Sequence, residues 1–460
     1  MKVPCLLSAA AACCIVHAEV PSIGNVAFSY GGGRRPAVVT YTLTGAPAFV
    51  TVDIETNTLA DATGEWVGIG GEATGGIYGQ GAALVWVTNK MVKAYWLPGD
   101  SWPGQTLPAG VIRARLTAYP TNSPPDYMVV DLSSPTNRHF YSCEKSLPGG
   151  IDSDLYRTNS MVMRRIPAAN VVWRMGIPSG EDGASTINAP HKVLLTEDYY
   201  MGVFELTQGQ YKTATGNNPS TYRSYDDSPW RPVENIKGST LRGQTYSDEN
   251  DPYGWPREDH AVSPTSAIGK MRRLTGLSML DIPTDAQWEY ACRAGTGTMI
   301  NTGKSNPATA DWKEVAYYSG TTPQTNKNYT TATVGQLIPN NWGLYDMHGN
   351  VLEVCLDWYE GDGAPYVATF QAGWETGAVT TNPVGIAWAD ASLGSSRNIV
   401  KRGGSIAHAL SKGMTYSGFR SSGGIEYASY YIGCRLVCPL SDVVPEPPAE
   451  SGDGEEEVTE

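Results

Sequence analysis

The stretch Asn340–Tyr359, NNWGLYDMHGNVLEVCLDWY, decides how the rest of the chain is read. Trp342, Leu344, Tyr345, Met347, Val351, Leu352, Val354 and Trp358 supply apolar bulk, and Asp346, His348, Glu353 and Asp357 stand among them. Gly343, Gly349 and Asn350 permit sharp turns and left-handed backbone that other residues resist. A turn that exposes carbonyls between two carboxylates suits a hard cation, because calcium takes six to eight oxygens in flexible geometry. The expected ligands are the side chains of Asp346 and Glu353 with the carbonyls of Gly349 and Val351. The alternative is a tight turn with solvated acids.

Other segments extend the pattern. GLYDMHGNVLEV closely resembles the GLYDMxGNVWEW signature of the formylglycine-generating enzyme (sulfatase-modifying factor) family. YMGVFELTQGQY at Tyr200–Tyr211, IPTDAQWEYACRAGT at Ile282–Thr296, KRGGS at Lys401–Ser405 and IGCRLV at Ile432–Val437 resemble further motifs of that family, in its order. Five ordered motifs over roughly residues 165 to 440 are far more specific than one short pattern. The resemblance implies a C-type-lectin-like α+β fold with little regular secondary structure and with structural calcium.

Composition narrows the class of function. The chain has 460 residues, enough for two or three domains. A formal net charge of -13 argues against a nucleic-acid partner, whose phosphates need a basic face. Fifty-one glycines, 31 prolines and 17% charged residues predict many turns rather than long surface helices. Met1–Ala18 reads as a signal peptide: Lys2, an apolar run Cys5–Val16, then Val16-His17-Ala18 before Glu19. It predicts a secreted, periplasmic or cell-surface protein, and the chain shows no transmembrane segment. Five cysteines remain beyond the signal. Cys434 and Cys438 lie four residues apart in an expected strand, about 13 Å at ~3.3 Å per residue, too far for a mutual disulfide.

Residues 19–141 read as an all-β, sandwich-like domain. Within it, Ala37–Leu43 and Ala48–Ile54 are expected to form a hairpin across Gly45-Ala46-Pro47. Residues 142–166 read as a linker, 167–440 as the family domain and 441–460 as a disordered acidic tail. Thr207 is a candidate helix N-cap, and Pro283–Ala294 and Pro264–Thr275 show helical spacing. Trp288, Tyr290, Ala291 and Cys292 read as a face packed into the core.

The chemistry implied by the resemblance is oxidation of a substrate cysteine to formylglycine at copper held by two cysteines shortly after the RGGS strand. Arg402–Arg420 contains no cysteine: His408 and Gly413 stand at the two positions. Soft thiolates select Cu(I), so this departure argues against copper and against formylglycine synthesis. Three functions are open: a family oxidoreductase acting on a protein, a non-catalytic relative binding a peptide or glycan, and a non-heme metal oxidase using His408, joined by His348. Arg402 and Arg435 read as structural.

Overall fold

The computed structural model describes residues 20–443, apart from 31–35, 46–47, 72–76, 78–83, 86–90, 99–101, 103–109, 134–137, 186–187, 244–260, 321–329, 360–376, 385–397 and 411–412. The expected signal peptide and residues 444–460 of the expected tail lie outside the described residues.

Alternation of apolar and polar side chains builds the N-terminal strands. Ala37–Thr44 buries every second residue, with Ala37, Val39, Tyr41 and Leu43 inward. It lies between Ser22–Ser29 and Met91–Trp96 in a three-stranded antiparallel sheet. Ala48–Asn57 belongs to another sheet, paired with Ile112–Pro120 along nine residues and with Trp66–Gly68. The two sheets pack face to face through Val39 and Ala94 on one side and Val52, Ala114 and Leu116 on the other. The expected hairpin across Gly45 is therefore corrected: the chain steps from one sheet to the other there. Facing sheets bury both apolar faces, which a lone hairpin cannot do.

A five-stranded sheet then runs in the order Val437–Pro439, Tyr199–Gly202, Ser160–Ile166, Tyr127–Asp131, Arg138–Tyr141. It crosses the boundary drawn at residues 141 and 142. The stretch read as a linker contributes the central strand Ser160–Ile166 and the short helix Leu155–Thr158, with Tyr156 and Arg157 buried. Phe49 of the sandwich meets Phe140 edge-on at 4.6 Å, and Phe140 meets Tyr200 at 6.4 Å, so apolar contact is continuous across the junction.

The helices follow their caps. Thr207 accepts from the Gln210 N–H while the Gln210 side chain accepts from the Thr207 N–H, opening Gln208–Thr215, and left-handed Gly216 closes it. Thr284 and Gln287 repeat this capping box at the start of Asp285–Arg293. That helix buries Trp288, Ala291 and Cys292 against Met347 and Cys355, as its spacing predicts. Ser266 caps Ala267–Thr275.

The motif strand Leu352–Trp358 is buried along its whole length. It pairs antiparallel with Asn398–Arg402 and parallel with Ile432–Gly433, placing Glu353 opposite Arg402. The run Ile432–Val437, expected as one strand, is two short strands in different sheets with Arg435 between them. Cys143, Cys292, Cys355, Cys434 and Cys438 are all free thiols, and all but Cys143 are buried. Leu440–Val443 form a helical turn rather than tail, held by Asp442, which accepts from the Ser278 and Met279 N–H groups.

Candidate functional site

The Asn340–Tyr359 turn folds around charge. Asp346 and Asn350 adopt positive φ, at 58° and 55°, and Gly349 lies at 106°. A Cβ on Gly349 would sit 2.1 Å from the Tyr317 carbonyl oxygen, so glycine is required there. The strained backbone directs the Asp346 carboxylate inward, where it is 4% exposed.

Three carboxylates gather at this place. The Arg435 Nη2 donates to Glu353 Oε1 at 2.8 Å, and the Trp288 Nε1 donates to Glu353 Oε2 at 2.7 Å. Arg435 also donates to the carbonyls of Gly202, Val203 and Tyr345. Glu205 accepts from the Val351 N–H at 3.0 Å and from the Asn350 amide at 2.7 Å. Asp346 Oδ2 accepts from the Gly335 N–H at 2.7 Å, and its Oδ1 is buried without a partner among the described residues. Burial pushes the Asp346 carboxyl up to about 6. Burial, then the charges of Asp346 and Glu353, push Glu205 well above the usual carboxylate range.

One arginine, Arg435, is ion-paired among three buried acids, and Arg157 acts on Asp346 without pairing with it. A buried charge left uncompensated costs several kcal/mol unless it takes a proton or a cation. The unpartnered Oδ1 and the excess negative charge fit a hard cation at Asp346. Glu353 fits less well, since both its oxygens already accept from Arg435 or Trp288. Among the described residues no three His, Cys, Asp or Glu side chains converge on a metal-sized point, so any such site draws on backbone carbonyls. Glu205 was not singled out in the sequence; its signal is one acid inside the apolar run Val203-Phe204-Glu205-Leu206.

A second set of acids lies beneath the KRGGS segment. Gly403 and Gly404 both have positive φ, and a Cβ on Gly404 would meet Thr415 at 2.5 Å. Arg402 pairs with Asp285 and, at 2.9 Å, with Glu289; Arg293 pairs with Glu289 at 2.7 Å; Arg420 pairs with Asp285 at 2.5 Å. Burial alone would raise the Glu289 carboxyl, yet Arg293 and Arg402 hold it down to about 2. Burial and the neighbouring Asp285 charge push Asp357 up to about 8.

His408 lies past this segment, half-buried. Its Nδ1 is 2.7 Å from the Ser405 hydroxyl oxygen, and burial lowers its pKa. Its ring stands edge-on to Tyr431 at 5.4 Å. From Tyr431 the rings continue to Tyr430 at 5.1 Å, Tyr222 at 5.9 Å and Tyr225 at 6.2 Å. Tyr427 joins through its hydroxyl, 3.2 Å from that of Tyr431. Tyr225 and Tyr427 are 40% and 52% exposed, so the strip reaches solvent. No ion pair to His408 exists among the described residues. His348 keeps other company: its Nδ1 meets the Thr415 carbonyl at 2.7 Å and its Nε2 accepts from the Asn301 N–H. Burial pushes it down to about 4. The two histidines share no bonding partner, and Gly413 lies beside Tyr416.

Comparison with known proteins decides the family. The sulfatase-modifying factor enzyme 1-like domain matches residues 158–440, more than half of the chain. The chain belongs to this family. Its fold is the α+β fold of formylglycine-generating enzymes preceded by an N-terminal β domain. The chain is 30% identical over 192 residues to a protein of Paenibacillus barcinonensis named chaperone protein LppX, covering 36% of this chain and 65% of that one. It is 25% identical over 255 residues to the formylglycine-generating enzyme of Bos taurus, covering 48% and 64%. The chain thus spans just under two thirds of the length of these two relatives. Among solved structures, Treponema denticola variable protein 1 aligns at 23% identity and a TM-score of 0.41, covering 61% of this chain and 95% of that one. PvdO from Pseudomonas aeruginosa aligns at 20% and 0.42, covering 61% and 94%. Among the described residues no helix is long and apolar enough to cross a membrane.

Proposed function

We propose that this family member binds an extended polypeptide along the strip Tyr225–Tyr222–Tyr430–Tyr431–His408 and does not oxidise it. The observation that carries the reading is the absence of any thiol from Arg402 to Arg420, beside a run of tyrosine rings that reaches solvent. Tyrosine supplies large contact area at small entropic cost and dominates many binding surfaces. Ligand chemistry of this kind agrees with the name of the Paenibacillus relative, a chaperone. The four buried cysteines are poor nucleophiles: burial raises the thiols of Cys292, Cys355, Cys434 and Cys438, which disfavours thiolate. The signal-like Met1–Ala18 places the protein outside the cytoplasm in this reading, and calcium at Asp346 and neighbouring carbonyls serves structure.

Two measurements test it. Incubation with a CxPxR sulfatase peptide, Cu(I) and oxygen should leave the thiol mass intact; conversion to the aldehyde overturns the non-catalytic reading. Binding to an extended peptide library should be detectable, and Tyr430→Ala should weaken it about tenfold while the protein still melts cooperatively. Binding confined to a glycan array would replace polypeptide with glycan as the ligand.

A further inference from the structure

Lys401 precedes the RGGS segment and is not explained by either acid network. It is 1% exposed, yet its Nζ has no hydrogen-bond partner among the described residues. The strand register sets Lys401 opposite Val354 on one side and Ser421 on the other. Its side chain runs over Gly423, where a Cβ would lie 2.6 Å from Nζ, so the amine occupies space that only glycine leaves open. The surrounding void is lined by Ile236, Leu241, Val354, Ile399 and Ile425, with Tyr427 and Cys434 the titratable neighbours. Among the described residues no carboxylate lines it. The void measures about 10 Å³, room for a single water-sized group. Its outer wall is Tyr427, half exposed, whose ring centroid lies 5.4 Å from Nζ.

We propose that Lys401 is a covalent capture site for small aldehydes, forming an imine at Nζ behind the Tyr427 ring. Among the described residues an ammonium here is desolvated with no counter-ion, and the weak attraction of the Tyr427 ring is its one support. Burial accordingly lowers the amine to about 8. At pH 7 roughly one molecule in ten then carries the neutral nucleophile, against about one in 2,500 for an ordinary lysine. The Nζ lone pair adds to the carbonyl carbon. The resulting carbinolamine loses the carbonyl oxygen with two protons as water, and C=N replaces C=O without any oxidant or reductant. The ligand class follows from the walls. An anion would be buried against one cation with no second donor, whereas the imine is neutral and removes the desolvation cost of the ammonium. The void holds the first carbon, and the remainder of the ligand leaves past Tyr427.

The test needs no knowledge of what the aromatic strip binds, so its failure is separable from failure of that reading. The purified protein is treated with acetaldehyde at pH 7 and quenched at timed intervals with borohydride, which reduces a neutral imine, and initial alkylation rates are read by peptide mass mapping. Lys401 should be alkylated on the order of 100-fold faster than exposed Lys212 and Lys313, the ratio of neutral-amine fractions. Tyr427→Ala should raise the Lys401 rate further, and Lys401→Met should remove the fast site while the protein melts cooperatively. If Lys401 in the unsubstituted protein reacts no faster than Lys212 and Lys313, the proposal fails, whatever Tyr427→Ala does, and the amine is held by a buried water.

Discussion

The two buried acid clusters use the same residue types and differ in balance. Around Glu289, three arginines (Arg293, Arg402, Arg420) interlock with Asp285 and Glu289, and Asp357 stands beside them, accepting from the Asp285 N–H. Around Glu353, three acids (Glu205, Asp346, Glu353) meet one ion-paired arginine, Arg435, while Arg157 acts on Asp346 without pairing with it. The first cluster is closed: it ties helix Asp285–Arg293 to strand Asn398–Arg402 and to the loop carrying Ser417 and Phe419, whose carbonyls accept from Arg402. The second leaves a carboxylate oxygen unpartnered and negative charge uncompensated, the condition under which a protein takes up a proton or a cation. Balance makes one a fastener; imbalance makes the other responsive to its solution.

The largest expected effect breaks the balanced side. Arg402→Ala strips the shared partner from Asp285 and Glu289, both buried, and should cost about 3–5 kcal/mol in denaturant unfolding. The loss should be the same with calcium or with chelator. A loss that calcium restores would mean the clusters are not independent. The next effect sharpens the unbalanced side. Chelation should lower the stability of the unsubstituted protein by roughly 3 kcal/mol relative to calcium at a hundredfold its dissociation constant. Asp346→Asn should abolish that dependence while leaving the protein folded. Identical melting with and without calcium, and no calcium by elemental analysis, would sink the cation reading.

Acidity gives a smaller test of the same contrast. The Asp346 carboxyl is raised to about 6 in the folded state, against an unfolded value near 3.9. The folded state then binds more protons between those values, so this contribution is present below about pH 4 and is lost as pH rises through about 6. Without calcium, unfolding free energy should fall by on the order of 3 kcal/mol across that window. Calcium competes with the proton and should flatten the slope, and Asp346→Asn should remove it. Asp357 shifts the same way over a window reaching about 8, and Glu205 is raised as well, so Asp357→Asn is the variant that separates them: it should remove only the balanced cluster's share of any loss that continues above pH 6.

Local signals in the sequence carried far. Thr207 and Thr284, each followed by glutamine three residues on, are readable caps because capping is settled within one turn. The inward face of Trp288 and Cys292 followed from periodicity, and Arg402 and Arg435 from being cations in apolar strands. What failed needed partners distant in sequence. Gly45 signals a turn whether the next strand pairs with the last or crosses to a facing sheet. Ser160–Ile166 reads as connecting chain until Tyr127–Asp131 and Tyr199–Gly202 are seen on either side of it. Glu205 lies 141 residues before Asp346, and Tyr222 and Tyr225 lie some two hundred before Tyr430 and Tyr431, so neither cluster has a spacing to recognise.

The smallest expected effect concerns His408, which belongs to neither cluster. Its polar partner is the Ser405 hydroxyl, its ring meets Tyr431 edge-on, and burial keeps it neutral at pH 7. His408→Ala removes one hydrogen bond between uncharged groups and one aromatic edge contact, and should cost no more than about 1–2 kcal/mol. That is well below Arg402→Ala, because no buried charge is orphaned. A non-heme metal oxidase would behave otherwise: His408→Ala would lower iron or copper uptake by the purified protein, as loss of an imidazole ligand does. We expect metal content to be unchanged. A drop in bound iron or copper with stability intact would return His408 to the chemistry and displace the binding reading. A stability loss equal to that of Arg402→Ala would instead show that the aromatic strip is part of the fold's fastening and not a surface free to bind.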